Sequence, residues 1–363
     1  MERPSAPGPT PERLDRSVGG REPGARAAPC LVLCCGLTTL DVLQEVDAVP
    51  APNEKSVARS LTLTFGGPAA NAAATAVAVG ATARLLTAIG SGPVADLVVA
   101  ELAGAGVDVV DLARRTGGVP AVSTILVTAS TGERAVVSVN ATRVGGLPAP
   151  PADVLDGVDV VLVDGHHLET AIEVARWARA AGVPVVLDGG SWKPGLERLL
   201  ALVDHAIVSA DFRVPASVAV DGPAAADVSR WTDDRERLVR QVASFGPSVV
   251  ARSDGDRPIL VLDPRTSAEV RSVPVPSDPS RRVVDTVGAG DVLHGAYAAF
   301  LACGRPAGEP ASVLARAAGV ASESVHFRGA RGWVAGRRPW SSRDPVHAAV
   351  SRGTPADDVG TGA

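Results

Sequence analysis

The chain is 363 residues long and 46% hydrophobic, with a formal charge of −5, which is enough apolar material for one large α/β domain or two medium ones. Mild acidity without a Lys/Arg cluster excludes a nucleic-acid surface, and no run of about 18 consecutive apolar residues is present to cross a membrane. Four cysteines, Cys30, Cys34, Cys35 and Cys303, lack Cys-x-x-Cys spacing, which argues against a zinc site or a disulfide framework and predicts reduced, buried thiols.

Residues 1–28 are rich in Pro, Gly and charge and nearly devoid of large apolar side chains. A disordered tail without an apolar leader is expected there, and with it a cytoplasmic setting. The apolar run at 30–35 has strand length and predicts a first core strand buried on both faces of a parallel sheet. Ligands in open α/β sheets bind beyond the carboxyl ends of strands. Asp41, just after this strand, is therefore either a substrate-binding carboxylate or an Asx-type turn residue. The stretch 42–64, short alternating segments broken by Pro50, Pro52 and Asn53, predicts strands of a small lid rather than a crossover helix. Phe65-Gly66-Gly67-Pro68-Ala69-Ala70-Asn71 then opens an Ala-rich helix ending at Gly80, its glycines serving either helix packing or a ligand.

A strand at 83–89, a turn at Gly90-Ser91-Gly92-Pro93 and a helix at 95–103 continue in βαβ rhythm. Strand-like runs at 121–129 and 133–140 flank Ser130-Thr131-Gly132 and predict a hairpin that completes the lid. Arg143, just beyond, is either a guanidinium suited to an anionic or hydroxylated ligand or a solvated loop arginine. The buried-strand run at 158–163 ends in Asp164-Gly165-His166-His167 before a helix at 169–181, making Asp164 a second strand-end candidate. Adjacent histidines with no Glu-x-x-His or His-x3-His partner read as loop residues, and no metal ligand is assigned. Strands at 183–188 and 206–209 enclose a short helix at 195–203, and the second strand runs into Ser209-Ala210-Asp211-Phe212. A charged amphipathic helix at 231–245 precedes a strand at 247–252, and the turn Ser253-Asp254-Gly255-Asp256 leads to strands at 258–262 and 270–276.

The most informative stretch is Asp285-Thr286-Val287-Gly288-Ala289-Gly290-Asp291. Gly288 and Gly290 let backbone N–H groups approach a ligand closely, and Leu293, Ala296, Tyr297 and Phe300 follow at helical spacing. The turn should thus sit at a helix N-terminus, where the dipole favours an anion such as phosphate. Asp291 beside that anion site is placed to take the proton of an attacking hydroxyl. A second apolar helix is predicted at 310–326.

Asp-Thr-x-Gly-Ala-Gly-Asp followed by x-Leu-x-Gly resembles the C-terminal signature of the ribokinase (PfkB) family, and Gly-Gly-x-x-x-Asn at 66–71 resembles its N-terminal one. The resemblance implies a three-layer α/β sandwich with a central, mostly parallel sheet and a small β lid. It places a kinase domain at 29–335, lid segments at about 42–64 and 121–140, and a polar C-terminal tail at 336–363. It further implies ATP-dependent phosphorylation of a sugar hydroxyl, with Asp291 as general base and the Gly288, Ala289 and Gly290 backbone as anion hole. Asp41, Gly66, Gly67, Asn71, Arg143 and Asp164 are implied to bind the sugar, and Ser209, Ser253, Gly255, Thr286, Gly288 and Gly290 the nucleotide. ATP and Mg2+ are the implied cofactors, a monovalent cation is allowed, the loop 327–332 is expected to border adenine, and a homodimer through the lid is expected. The chain departs from ribokinase proper at Pro68, where lysine is common, and Ser209 to Phe212 stand where many members have Asn-x-x-Glu, the Glu being absent as in the ketohexokinase-like branch. Asp164-Gly165-His166 and Ser209 lean toward the ketohexose and sulfosugar side. A catalytically idle sugar- or nucleoside-binding sensor and a nucleoside kinase are the alternatives.

Overall fold

A computed structural model describes residues 29–139, 146–218, 234–304 and 309–334. Both predicted tails and Arg143 lie outside these residues. In chain order the first half contains β1 (Leu31–Cys35), β2 (Thr39–Val46), β3 (Ser60–Gly66), α1 (Pro68–Ala78), β4 (Thr82–Thr87), α2 (Pro93–Gly104), β5 (Val107–Asp111), β6 (Ala121–Thr128), β7 (Arg134–Ser138) and β8 (Val160–Val163). The second half contains α3 (Leu168–Ala181), β9 (Val185–Gly189), α4 (Leu196–Leu200), β10 (His205–Val208), α5 (Asp234–Ala243), β11 (Val249–Asp254), β12 (Arg257–Asp263), β13 (Ser267–Val273), α6 (Ala289–Ala302) and α7 (Pro310–Ser324).

Nine strands form one sheet in the order β13-β12-β11-β10-β9-β8-β1-β4-β5. Pairing is parallel from β5 to β11, and β12 and β13 add an antiparallel edge. The apolar run of β1 alternates between two cores, as the strand period requires. Val32 and Cys34 join α1, α2, α6 and α7 on one face, while Leu33 and Cys35 join α3, α4 and α5 on the other. From β1 the chain builds outward through β4 and β5, then returns to build through β8 on the opposite side, so the order reverses between β1 and β8. Crevices at such a reversal are where open α/β sheets bind ligands.

A second sheet, ordered β3-β2-β6-β7, is the lid. Only residues 36–38 separate β1 from β2, so the lid rises directly from the carboxyl end of the central strand. Asp41 therefore lies within β2, not in a loop beyond β1. Pairing puts Thr64, Asp41, Ser123 and Ser138 in one cross-strand row and Leu63, Val42, Thr124 and Val137 in the next. Neighbouring rows face opposite sides.

The expectation of four reduced thiols changes. Cys30, at the foot of β1, is disulfide-bonded to Cys303, at the end of α6, with Cα atoms 5.3 Å apart. The 273-residue separation hid this pairing, which requires α6 to lie back across the sheet. Cys34 and Cys35 are the buried free thiols, and burial raises both of their pKa values. The edge strand β5, Val-Asp-Val-Val-Asp, lacks a continuous apolar run to mark it; Val107 is buried, Asp108 exposed and the other three half-buried.

Candidate active site

The Gly-Gly turn is shaped by what lies against it. A Cβ on Gly66 would overlap the Asp41 carboxylate, and one on Gly67, whose φ is +95°, would overlap the Leu37 carbonyl. Gly67 is the N-cap of α1, with Pro68 in its first turn, where its missing N–H costs nothing. Asn71 follows one turn into the helix and is buried.

The signature heptad is held by its first acid. Asp285 Oδ1 accepts the Val287 N–H at 2.8 Å and Oδ2 the Gly329 N–H at 2.8 Å, clamping the turn to the loop after α7. Gly288, the N-cap of α6, has φ +74°, and a Cβ there would overlap Ala330. The first-turn amides of α6 have no intrahelical acceptors and carry the positive end of its dipole. Of these, Ala289 N–H makes a 3.3 Å bond to the Thr286 carbonyl. Asp291 stands in that turn. Arg134 of the lid strand β7 donates to Thr286 Oγ1 at 3.1 Å.

The two glycine turns, far apart in sequence, meet at one carboxylate: Asn71 Nδ2 donates to Asp291 Oδ2 at 2.7 Å. Burial raises the Asp291 pKa to about 7, helped by repulsion from Asp188 and Asp164 and opposed by the Asn71 hydrogen bond and by His294. Asp188, at the end of β9, is itself raised by burial, and its Oδ2 lies 3.2 Å from His294 Nδ1. His294 also faces the Gly290 carbonyl at 2.6 Å and, through Nε2, the Ile207 carbonyl at 3.0 Å. It thereby ties the first turn of α6 to β10. Asp41 accepts from Thr39 Oγ1 at 2.6 Å, and burial raises its pKa.

Asp164, the substrate-binding candidate after β8, is held by backbone donors. It is 2% exposed, and its carboxylate accepts backbone N–H groups from Leu37 at 2.8 Å, Ala69 at 3.2 Å and His166 at 2.8 Å. It bridges β1 to β8 and caps the first turn of α1, so it organises the crevice floor. The side chains of His166 and His167 are burdened by burial, which lowers both pKa values.

Beyond β10, Ser209 Oγ donates to the Gly190 carbonyl at 2.9 Å and accepts the Asp211 N–H at 3.2 Å. Ser253 Oγ reaches the Val208 carbonyl at 3.4 Å, so both serines sit together at the ends of β10 and β11. Gly255, with φ +60°, occupies the exposed β11–β12 turn. No group of three or more His, Cys, Asp or Glu able to hold a metal ion occurs among the described residues.

Arg331, in the loop 327–332, turns toward the lid strand β3 and α1. Its guanidinium donates to Asn71 Oδ1 at 2.5 Å, Thr64 Oγ1 at 2.5 Å and the Phe65 carbonyl at 2.7 Å, and lies 3.5 Å from the centre of the Phe65 ring. An arginine within Arg-Gly-Ala-Arg-Gly gives no sign in the sequence that it is anything but solvated. Asp188 and His294 were also missed, since a strand-end acid and a helical histidine have ordinary structural readings.

The pfkB family carbohydrate kinase model matches residues 30–333. A ribokinase of Arabidopsis thaliana is 26% identical over 320 residues, covering 84% of this chain and 78% of its own. A ketohexokinase of Mus musculus is 28% identical over 138 residues, covering 38% and 45%. The structure of Arabidopsis thaliana ribokinase complexed with ribose and ATP superposes with a TM-score of 0.63 at 21% identity, over 83% of this chain and 94% of that one. The fold, the two signature turns converging on Asp291 and a family match across the described chain lead to one conclusion: the protein belongs to the pfkB family of carbohydrate kinases, phosphotransferases that act on sugars.

Proposed function

We propose that the chain transfers the γ-phosphoryl group of ATP to a hydroxyl of a sugar, with Asp291 as the general base. The observation that carries this reading is the Asn71–Asp291 hydrogen bond, which brings together side chains from the two glycine turns. A carboxylate whose pKa lies near 7 is poised to accept a proton at neutral pH. As the sugar oxygen bonds to the γ-phosphorus and the bond to the ADP oxygen breaks, Asp291 takes the hydroxyl proton. The amides of Gly288, Ala289 and Gly290 stabilise charge on the phosphoryl oxygens. Asp41, Gly66, Gly67 and Asn71 orient the acceptor, and Ser209, Ser253, Gly255 and Thr286 border the nucleotide.

Magnesium is taken as arriving with the triphosphate, where it neutralises charge and needs only one or two protein carboxylates. Asp211, in the segment that replaces Asn-x-x-Glu, is the acid nearest in sequence to that role. A homodimer through the lid is supported by Leu61, Leu63 and Val137, which are 61%, 45% and 74% exposed.

Asp291→Asn is expected to keep ATP affinity while lowering kcat by roughly 10²–10⁴-fold, read by isothermal titration and by ADP release. Retained turnover removes the assigned base. The same ADP assay across hexoses, pentoses, sulfosugars and nucleosides, with sodium and potassium exchanged, identifies the acceptor class and any cation requirement. Ligand binding without ADP would mark a sensor instead.

A further inference from the structure

We propose that Arg331 is a positioning residue that locks the side-chain amide of Asn71 in the one orientation that favours the charged form of Asp291. Guanidinium nitrogens only donate, whereas an asparagine amide has one accepting end and one donating end. With Arg331 at 2.5 Å from Asn71 Oδ1, the amide oxygen is committed to the arginine. The NH2 group must then point at Asp291, where it donates at 2.7 Å. An unrestrained amide could rotate by half a turn and accept a hydrogen bond from a protonated Asp291 equally well. That alternative would stabilise the acid form, which cannot act as a base. Arg331 excludes it, because the rotated amide would set NH2 against a guanidinium.

The arginine is well anchored for this task. Besides Asn71 it holds Thr64 Oγ1 and the Phe65 carbonyl on the lid strand β3 and stacks on the Phe65 ring. Its neighbouring loop residue Ala330 packs against Gly288 at the start of α6. The Arg331 side chain thus joins the lid to α1, and the residue before it meets the anion turn. The charged groups facing it are Glu101 from α2, Asp41 from β2 and Asp291. Those facing Asp291 are Asp188 from β9, Asp164 after β8 and His294 from α6, with His166 and Lys193 beyond Asp188. Apart from Asp291 itself, which receives the NH2 group, none of these bonds to the Asn71 side-chain amide among the described contacts. Burial lowers the Arg331 pKa to about 10, which still leaves it charged at neutral pH.

The inference rests on the proposed base only for its kinetic consequence, so its test reads Asp291 directly. In protein labelled with 13C at aspartate side-chain carboxyls, the Asp291 signal is the one missing from Asp291→Asn. Arg331→Met is expected to raise its titration midpoint by about one pH unit, while Arg331→Lys, a donor-only cation, keeps it near the wild-type value. In an Asn71→Ala background, Arg331→Met should produce no further rise, because the effect passes through the amide. The acid limb of kcat/KM should move with the midpoint. An unmoved midpoint in Arg331→Met overturns the inference, as does an equal rise with and without Asn71, which would mean that the arginine acts by charge alone. A moved midpoint with an unmoved acid limb supports the inference and counts against Asp291 as base. If Arg331→Met does not fold, Arg331→Gln, whose amide can meet Asn71 with either end, takes its place with the same expected rise.

Discussion

The buried position proposed to make Asp291 a base is also costly to the fold. The folded pKa of Asp291 is about 7 against an ordinary 3.8, so between those values the folded chain holds a proton that the unfolded chain has lost. Stability therefore falls as pH rises through that window, and the loss is fully developed above pH 7. Asp291→Asn removes the ionisable group. It is expected to have a higher Tm than wild type at pH 8, by a few degrees, and a much smaller advantage at pH 4, as scanning calorimetry would show. A variant less stable than wild type at pH 8 would contradict the raised carboxylate. Asp164 illustrates the opposite economy. Its carboxylate is matched by three backbone donors from three segments, and a buried acid so satisfied is a structural part of the crevice.

The spacing of α1 and α6 decides whether Asn71 and Asp291 can meet at all. Gly295 of α6 lies directly against the backbone of Ala72 of α1, and a Cβ there would overlap the Ala72 carbonyl. Glycine is the only residue that permits this approach, and Asn71 and Asp291 sit one residue and four residues from the contact. Gly295→Ala should force the helices apart at a cost of about 1–3 kcal/mol, measured by urea denaturation. It should also lower kcat more than it changes KM, since the longer Asn71–Asp291 separation touches the base before it touches ligand binding. An unchanged kcat in a folded variant would show that the contact is packing alone. The lid has a comparable dependence on its strands: because β2 pairs residue for residue with β3 and β6, the row holding Asp41 also carries Thr64 and Ser123, which keeps polar groups together on one side of the sheet.

Across the whole molecule, the lid is fastened to the domain by polar contacts and leaves an apolar side open. Arg134 reaches Thr286, Arg328 of the loop after α7 pairs with Glu45 of β2, and Arg331 holds β3. The opposite rows expose Leu61, Leu63 and Val137, and exposed strand faces of this kind favour association. Leu63→Glu combined with Val137→Glu is expected to convert a dimer to a monomer in sedimentation analysis while leaving the domain folded. A wild-type chain that sediments as a monomer would remove the lid interface. Among the described residues no helix is long and apolar enough to cross a membrane.

Much of this protein was legible from local pattern. Continuous apolar runs marked β1, β8, β9 and β10, because strands buried on both faces tolerate little else. Glycine turns followed by helical spacing marked Gly67, Gly288 and Asp291, since the backbone approach they allow depends on neighbouring residues alone. Long-range partners could not be read that way. The Cys30–Cys303 bond, the Leu37 and Ala69 amides that meet Asp164 and the reach of Arg331 to Asn71 all depend on where the chain returns after more than ninety residues. A side chain's type states what it can bond to, and only the packed fold decides which partner is within reach.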